Sequence, residues 1–554
     1  MFASTPAALC NCGSGNGTFG RARAPQASIV VSRNEVSGEL TGIAKDHLPQ
    51  VKTLIKDDEH RKKRLLDRAG GFFDRRPLRV LAFALLLTII AAPSLLPKFS
   101  VVDNDIWWHL KVGDWIIEHS AFPHTGILSR TAADRPWMAY GWIYEVLLSL
   151  FHYRFHLMGV AVYGLLLTLA ATYSVFWMTR RLAGRFWGPS LLATLCCAAF
   201  LFKIYPRPAF FSMMFLAITV TLLLEARRRS RHQVLYWLPP LFLVWANVHI
   251  QFIYGLFIVA LFVAINVVQE WASHRGLATA LFYPRLLASR TLLILLGACV
   301  LATCIGPYSY HLYSVVFGYA TSKFPYAYIV EFQAFRFRTY TDFVQFLLAA
   351  FAFFTLVCRK PLDLFLLSLL LVAGVIGFRT ARDAWFICIP ATACLAEALR
   401  SPVPEPRKSI AEKTGLAVVL VVLIFLYAQL LHVNTQDMRL AIASRYPVRA
   451  INFLHAHPQP GPLYNTFGWG GFITWYLPDY PVSIDGRTDL YGDEIDMRFY
   501  KTENGDPTYF DDPYLNEAQL IVLPRGTPLA HLLNSDSRFT LIYSDSLSVV
   551  FVKQ

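Results

Sequence analysis

Two acidic residues, Asp103 and Asp105, lie near the start of the stretch VVDNDIWWHLKVGDWI, residues 101–116, directly after an apolar run. Residues i and i+2 face the same way only in an extended segment, so both carboxylates can point into one cavity if a helix begins after Asp105. Such a pair can hold a divalent metal ion, Mg²⁺ or Mn²⁺, or one member can act as a general base. The alternative is that Asp105 caps the following helix, since the N-terminal dipole favours an acid.

Three arginines at the ends of apolar segments are candidates for binding a phosphate group. They are Arg207 in YPRPAF, and Arg379 and Arg382 in GFRTARDAWF. Arginine is costly inside a membrane and usually faces a protein interior or a polar cavity, where it can meet the charge of a phosphate. The alternative is that these long side chains extend to the membrane interface.

Two further polar residues lie in turns between apolar segments. His249, in WANVHIQF, is a candidate for positioning a substrate, with a histidine satisfied at a helix end as the alternative. Glu331 is the only acid between Gly306 and Tyr340, and it can supply a further ligand to a cation or lie solvated in its loop.

The C-terminal segment contains a group of charged residues in VSIDGRTDLYGDEI. Four charged residues follow a predicted strand at residues 481–485: Asp485, Arg487, Asp489 and Asp493. Loops after strands collect functional groups, so we predict that these residues bind an acceptor or dock onto the membrane cavity. The alternative is structural: Asp-Gly favours a turn, and an arginine among acids forms an ion pair.

Composition indicates a polytopic membrane protein. Of the 554 residues, 55% are hydrophobic and 16% charged. The formal charge is +14, but the chain from Asn434 onward has 9 Lys and Arg against 14 Asp and Glu. The positive surplus therefore lies in the N-terminal arm and in short loops, which is typical of topology-setting charge rather than of nucleic-acid binding.

Apolar runs predict about eleven transmembrane helices, at residues 79–97, 157–178, 187–203, 209–225, 234–248, 252–270, 291–306, 341–357, 362–378, 384–399 and 415–433. With these spans, all clusters of basic loop residues fall on the same side as the basic run before the first span. The positive-inside rule then places the N-terminus in the cytosol and the C-terminal segment outside.

The predicted fold is therefore mainly α: a polytopic membrane helical bundle followed by a small C-terminal α/β domain. Residues 1–60 are expected to form a disordered cytosolic arm, residues 61–433 the transmembrane domain with a first outer loop at 98–154, and residues 434–554 the extracytoplasmic domain. The helix predicted from Ile106 has tryptophans at a spacing that favours a position on the membrane surface.

In this arrangement the chain resembles the GT-C glycosyltransferases, and most closely a bacterial branch of multi-pass members. The resemblance covers about residues 100–500 and is carried by the order of DNDIWWHLKVGDWI, RPWMAYGWIYEVL, RPAFFS, WANVHIQF and VSIDGRTDLYGDE. It implies a GT-C-like bundle in which Asp103 or Asp105 is the catalytic or metal-binding acid. The C-terminal segment lacks the WWD-type motif of the oligosaccharyltransferase branch, which argues against peptide glycosylation of that type.

The resemblance implies an enzyme that transfers a sugar from a polyprenyl-phosphate carrier to an envelope acceptor, on the outer face of a bacterial cytoplasmic membrane. The alternative is a non-enzymatic relative that binds a lipid or glycan, or supports an envelope complex. An enzyme would bring the acids and the arginines to one cavity, whereas a scaffold would leave them scattered.

Overall fold

The computed structural model describes residues 76–200, 205, 207–276, 287–401 and 410–554. The arm predicted at residues 1–60 lies outside them. In the described part, 21 α-helices follow one another as α1 Arg76–Ala91, α2 Pro97–Ser100, α3 Ile106–His119, α4 Trp142–Ala183, α5 Trp187–Phe200, α6 Ala209–Arg229, α7 Leu238–Ala246, α8 Phe252–His274, α9 Ser289–Thr303, α10 Leu312–Thr321, α11 Phe324–Tyr328, α12 Tyr340–Val357, α13 Leu364–Arg379, α14 Ala384–Ala398, α15 Ile410–Leu430, α16 Thr435–Arg445, α17 Val448–Ala456, α18 Gly470–Tyr476, α19 Thr488–Glu503, α20 Pro513–Glu517 and α21 Pro528–Leu533.

A helix overlaps each of the eleven apolar segments predicted from the sequence. In the part of the chain that the structure describes, six helical stretches are long and apolar enough to cross a membrane: Pro77–Leu95, Trp142–Ala183, Ala209–Arg229, Phe252–His274, Tyr340–Val357 and Lys413–Leu430. Three shorter apolar helices accompany them, at Trp187–Ala199, Ser289–Thr303 and Leu364–Arg379. The protein is thus a mainly helical membrane protein, and the count of about eleven spans stays a prediction.

Helix α4 consists of two helices joined at a sharp bend. His156 has a φ of 52°, in the left-handed region that an L-residue rarely adopts. A Cβ added at Gly159 would lie 2.0 Å from the carbonyl oxygen of Phe151, so glycine permits the close return of the chain. The bend separates a first part, which carries Glu145, from the part that contains the predicted span.

The C-terminal segment forms the predicted small sheet with helices around it. The sheet has the order β1-β2-β4-β3, from β1 Leu463–Asn465, β2 Leu520–Pro524, β3 Phe539–Ser544 and β4 Ser548–Lys553. The pair β1 and β2 is parallel, and the other two pairs are antiparallel. The strand predicted at 481–485 does not join this sheet, because Val482 instead exchanges backbone hydrogen bonds with Leu128 and Arg130 of the first outer loop.

Helix α3 begins at Ile106 as predicted, and Trp107 and Trp108 are buried within the protein, while a position of the helix on a membrane surface stays a prediction. Trp107 is fully buried, with its indole edge-on to the rings of Tyr446, Phe472 and Tyr476. Helix α18 lies close to the residues that precede α3, since a Cβ added at Gly471 of α18 would lie 2.8 Å from the carbonyl oxygen of Asn104. The aromatic side chains therefore attach the C-terminal segment to the loop that carries the acid pair.

Candidate functional site

The two acids of the opening motif converge on one arginine. Arg207 donates from Nε to Oδ2 of Asp103 at 2.8 Å and from Nη2 to Oδ1 at 2.5 Å. Its Nη1 lies 3.0 Å from Oδ2 of Asp105. The predicted convergence of both carboxylates is thus what the structure has, and the guanidinium fills the space between them.

Asp105 stands directly before α3, yet its side chain does not cap the helix. Its Oδ1 instead accepts a hydrogen bond from Nε1 of Trp108 at 3.2 Å. Burial raises the pKa of Asp105 to about 6, with Asp103 and Glu331 adding to the rise while Arg207 opposes it. A carboxylate with that pKa is mostly ionised at neutral pH and is well placed to take a proton.

Asp103 is less accessible than Asp105. Its side chain is 3% exposed, against 21% for Asp105, and the cavity beside it measures only about 10 Å³. That volume holds about one water molecule. Asp103 therefore orients Arg207, and Asp105 is the more exposed member of the pair.

Glu331 extends the ion-pair network toward a second arginine. Its Oε1 lies 3.5 Å from Nη1 of Arg207 and 3.6 Å from Nη1 of Arg382. Arg382 also stands over the ring of Phe332 at 4.8 Å. Four charged side chains from separate parts of the sequence thus form one chain of contacts, Asp103–Arg207–Glu331–Arg382.

Arg382 opens onto a cavity of about 290 Å³, named here the arginine cavity. Its polar lining includes Arg379, Arg382, His249 and Asp383. Arg379 stands 4.8 Å from the ring centre of Tyr326, another lining residue. Much of the remaining wall is apolar, from Ile250, Ile253, Val316, Phe332, Val375 and Ile376. A cavity with two guanidinium groups and an apolar wall suits an anionic group attached to an aliphatic chain.

Asp383 does not neutralise its neighbour Arg382 by a direct ion pair. Its carboxylate accepts hydrogen bonds from Nε2 of Gln251 at 2.7 Å, the hydroxyl of Tyr254 at 3.1 Å and Oγ1 of Thr380 at 3.0 Å. Three neutral donors thus satisfy the acid, while Arg382 contacts Glu331.

His249 is buried and neutral in this cavity. Burial lowers its pKa to about 3, and the charge of Arg382 adds to the effect. Its Nδ1 lies 2.8 Å from Oγ of Ser212, which accepts from Nε1 of Trp245 at 2.8 Å. The serine hydroxyl can then donate to Nδ1, which places the ring proton on Nε2. His249 is therefore suited to donate a hydrogen bond rather than to carry a positive charge.

Asp485 and Arg487 form a closed ion pair, which corrects the expectation that they contact an acceptor. Both side chains have no exposed surface, and Nη2 of Arg487 lies 2.7 Å from Oδ2 of Asp485. Arg487 also donates to the carbonyl oxygen of Ile127 at 2.9 Å and lies over the Trp137 ring. The structural alternative applies: the pair holds the SIDG loop against the first outer loop.

The residue between them, Gly486, is a site residue that sequence reasoning missed. A Cβ added there would lie 2.0 Å from Oδ1 of Asp105 and 3.1 Å from Nε1 of Trp108. The backbone of the C-terminal segment thus touches the acid, where only glycine fits. The sequence signal was weak, because the Asp-Gly dipeptide also predicts an ordinary turn.

The donor set around Asp103 and Asp105 does not fit a divalent cation in this arrangement. Arg207 and Trp108 already contact all four carboxylate oxygens, and the guanidinium occupies the position that an ion would take. Among the described residues, no group of three or more His, Cys, Asp or Glu side chains is arranged to hold a metal ion. The chemistry of this site is therefore assigned to protein side chains.

Of the comparisons with known proteins, the one with solved structures gives matches, and these concern the fold. No family model matches the chain, and no curated protein matches it. An oligosaccharyltransferase from Archaeoglobus fulgidus in its apo form is similar in structure, with a TM-score of 0.51 and 13% identity over 87% of this chain and 75% of that one. A complex of that enzyme with Zn and sulfate has a TM-score of 0.44 and 12% identity, over 86% of this chain and 73% of that one.

ArnT from Cupriavidus metallidurans, bound to undecaprenyl phosphate, has a TM-score of 0.44 and 13% identity, over 85% of this chain and 97% of that one. The likeness that carries weight is the first, which extends over most of both chains. At such low identity it concerns the architecture alone. The chain therefore shares the fold of this oligosaccharyltransferase, which agrees with the GT-C-like fold that the sequence resemblance implied.

Proposed function

We propose that the protein transfers a sugar from a polyprenyl-phosphate carrier to an envelope acceptor on the outer face of a bacterial cytoplasmic membrane. The observation that carries this proposal is the chain of contacts Asp103–Arg207–Glu331–Arg382, which joins an acid pair to the arginine cavity. In the proposed orientation the N-terminus is cytosolic, residues 61–433 form the membrane domain and residues 434–554 lie outside.

The roles follow from position and charge. Asp105 takes the proton of an acceptor hydroxyl while that oxygen bonds to the anomeric carbon of the sugar. The bond between this carbon and the phosphate oxygen breaks, and its electron pair leaves with the phosphate. Arg379 and Arg382 meet the phosphate charge, and His249 donates a hydrogen bond.

The apolar wall of the arginine cavity supports a lipid carrier as the source of the phosphate. A free nucleotide sugar would leave Ile250, Val375 and Ile376 without an apolar partner, whereas the first isoprene units of a carrier would cover them. Carrier phosphate and aliphatic chain would thus be bound by adjoining parts of one cavity.

One observation favours the non-enzymatic alternative, a protein that binds a lipid or glycan. Both carboxylate oxygens of Asp103 are committed to Arg207, and there is little space beside them. A binding protein would use this ion pair only to hold its shape. Turnover, rather than binding, separates the two functions.

The test is turnover by purified full-length protein, with undecaprenyl-phosphate-linked sugars as donors and a washed bacterial envelope fraction as acceptor. We expect release of undecaprenyl phosphate, a rate that rises with pH through about 6 as Asp105 ionises, and a loss of roughly 10²–10⁴-fold in Asp105→Asn. Asp134→Asn, an exposed acid of the same loop, is the matched control. An Asp105→Asn protein that keeps the wild-type rate would remove Asp105 from catalysis.

A further inference from the structure

A second cavity adjoins the arginine cavity and has the opposite electrostatic character. It measures about 370 Å³ and lies between the first outer loop, α10 and the start of α19. This cavity, named here the aspartate cavity, has Asp489 and Asp493 in its lining, and none of the described residues that line it is Lys, Arg or His. It is large enough for a small-molecule ligand, for which cavities are typically roughly 300–1,000 Å³.

Asp489 is the acid in this cavity with capacity for a ligand. Its Oδ2 accepts from Nε1 of Trp137 at 3.0 Å, and its Oδ1 from the hydroxyl of Tyr319 at 3.3 Å. Its own backbone N–H also donates to the carboxylate, so three donors leave about one of the roughly four lone-pair positions of an ionised carboxylate. Asp493 is committed elsewhere, because it accepts from Ser322 and from the backbone N–H groups of Lys323 and Phe324.

The rest of the lining is amphipathic. Met138, Val315 and Gly318 give apolar surface, while Ser314, Thr321 and Thr488 give hydroxyl groups near the carboxylate. A sugar ring has the matching shape: apolar C–H faces and a rim of hydroxyl groups that can donate to a carboxylate. An anionic ligand would instead face a carboxylate with no lining cation to offset it.

Tyr319 connects the two cavities. It lines both of them, and its hydroxyl donates to Asp489 and lies 3.0 Å from the hydroxyl of Tyr140. A group bound on one side of Tyr319 is therefore a direct neighbour of a group bound on the other side.

From this geometry we propose that the aspartate cavity binds a carbohydrate ring that is uncharged or carries an amino group, and that it excludes phosphate. The place of this ring in a transfer reaction rests on the proposed function, whereas the binding itself does not. The ring comes either from the sugar of the carrier-linked donor or from a glycan acceptor, which present the same chemistry to the cavity.

The binding test uses saturation-transfer NMR on the purified full-length protein. The probes are methyl glucoside, glucosamine, glucuronate and methyl phosphate. We expect signal from the first two in wild type and in Arg382→Gln. The two anions, which the arginine cavity can also bind, should give no signal in Arg382→Gln. In Asp489→Asn, glucosamine should lose signal far more than methyl glucoside, because the ammonium loses an ion pair whereas a hydroxyl can still donate to the amide oxygen.

A cavity-filling variant ties the signal to this site. A Cβ added at Gly318 meets no heavy atom within 4 Å, so Gly318→Leu enters open space, and we expect at least a fivefold loss of methyl glucoside signal. Gly297→Leu, on α9 and with equally open surroundings, is the matched control. The proposal is overturned by a wild-type protein without sugar signal, by glucuronate binding to Arg382→Gln as well as glucosamine does, or by a sugar signal that Gly318→Leu leaves unchanged.

Steady-state kinetics then separate the two sources of the ring. In Gly318→Leu, a raised KM for the donor alone identifies the donor sugar, and a raised KM for the acceptor alone identifies a glycan acceptor. Unchanged values of both, in a protein that turns over, contradict a place for this cavity in transfer. Because the NMR test requires no turnover, sugar binding without transfer defeats only the proposed function, and transfer without sugar binding defeats only this inference.

Discussion

The two cavities on either side of Tyr319 differ in charge, in wall and in the parts of the chain that form them. The arginine cavity is formed largely by ends of the apolar helices α8 and α13 with the loops beside them, and contains two arginines. The aspartate cavity is formed by the first outer loop, α10 and the C-terminal segment, and contains two aspartates. Charge thus changes sign across one tyrosine side chain.

Under the proposed function, this difference would separate the phosphate of a sugar phosphate from its sugar. Phosphate and carbohydrate require opposite environments, since one needs cationic donors and the other needs acceptors for its hydroxyl groups. The apolar wall of the arginine cavity also suits an apolar carrier, whereas the aspartate cavity offers carboxylate and hydroxyl groups to a polar ligand. If the two cavities act separately, a substitution in one should leave ligand binding by the other unchanged.

Removal of a charge from the arginine cavity should weaken phosphate binding there and leave sugar binding in the aspartate cavity unchanged. Arg382→Gln loses charge-assisted hydrogen bonds worth about 1.5–3 kcal/mol each, so we expect binding of undecaprenyl phosphate to weaken by about 10–100-fold and transfer to fall further. Methyl glucoside binding should be unchanged. Ligand titration of both probes checks this, with the exposed Arg154→Gln as control. Equal weakening of both ligands would show that the cavities are not separate.

Gly486→Ala should disturb Asp105 while leaving both cavities in place. The added Cβ would lie 2.0 Å from Oδ1 of Asp105, so the carboxylate must move away from Trp108 and Arg207. A displacement of about 1 Å in a catalytic group costs up to about 100-fold in rate, and we expect a loss of roughly 10–100-fold. Transfer kinetics and both binding assays provide the measurement.

The control for this substitution lies in the same part of the chain. A Cβ added at Gly526 meets nothing within 4 Å, so Gly526→Ala should keep the wild-type rate. Wild-type transfer by Gly486→Ala would mean that the position of Asp105 does not limit the reaction.

Local rules predicted the parts of this site that depend on local spacing. Apolar runs predicted helices α13 and α14, with Arg379 at the end of the first and Arg382 in the turn between them. Asp103 and Asp105 do meet one guanidinium, but not through the extended segment that the i and i+2 argument assumed, because Asp105 has helical backbone angles and Ile106 N–H donates to the carbonyl oxygen of Asp103. The identity of their partners lay beyond such rules. Arg207 meets Asp103 across 104 residues, a separation over which sequence periodicity carries no information.

The loop that begins at Asp485 shows the same limit on what sequence can predict. Asp485, Arg487 and Asp489 have similar surroundings in sequence, yet the first two close a buried ion pair while the third lines a cavity. Ile127 of the first outer loop accepts a hydrogen bond from Arg487, whereas Trp137 of that loop contacts both Arg487 and Asp489. Charged residues in a loop can therefore be located from sequence, but their exposure depends on long-range packing.

The acidic residues around the aspartate cavity also lower the stability of the fold, through the buried Asp496 of α19. This side chain is 1% exposed, and neither oxygen has a hydrogen-bond partner among the described residues. Its pKa is raised to about 9, mainly by burial, with the acids Asp485, Asp489 and Asp493 contributing to the rise and Arg135 opposing it. The folded state thus favours the protonated form, so stability is full below pH 4 and falls as the pH rises toward 9.

Asp496→Asn, which resembles the protonated acid, should remove that loss. One group contributes at most about 1.4 kcal/mol per pH unit, so the variant should melt at a higher temperature than wild type at pH 8, with a smaller difference at pH 5. Thermal melting followed by tryptophan fluorescence in detergent measures this, with the exposed Asp479→Asn as control. Parallel pH profiles of wild type and Asp496→Asn would contradict the assignment.

The smallest expected effect is that of chelation. Because the Arg207 guanidinium already stands between Asp103 and Asp105, treatment with EDTA should leave the transfer rate unchanged. Loss of activity that Mg²⁺ or Mn²⁺ restores would instead support the metal site predicted from the sequence. Arg207→Ala sharpens the distinction, since it opens the space between two carboxylates that then repel each other. Metal-stimulated activity confined to that variant would indicate that the guanidinium and a divalent cation are alternative occupants of one position.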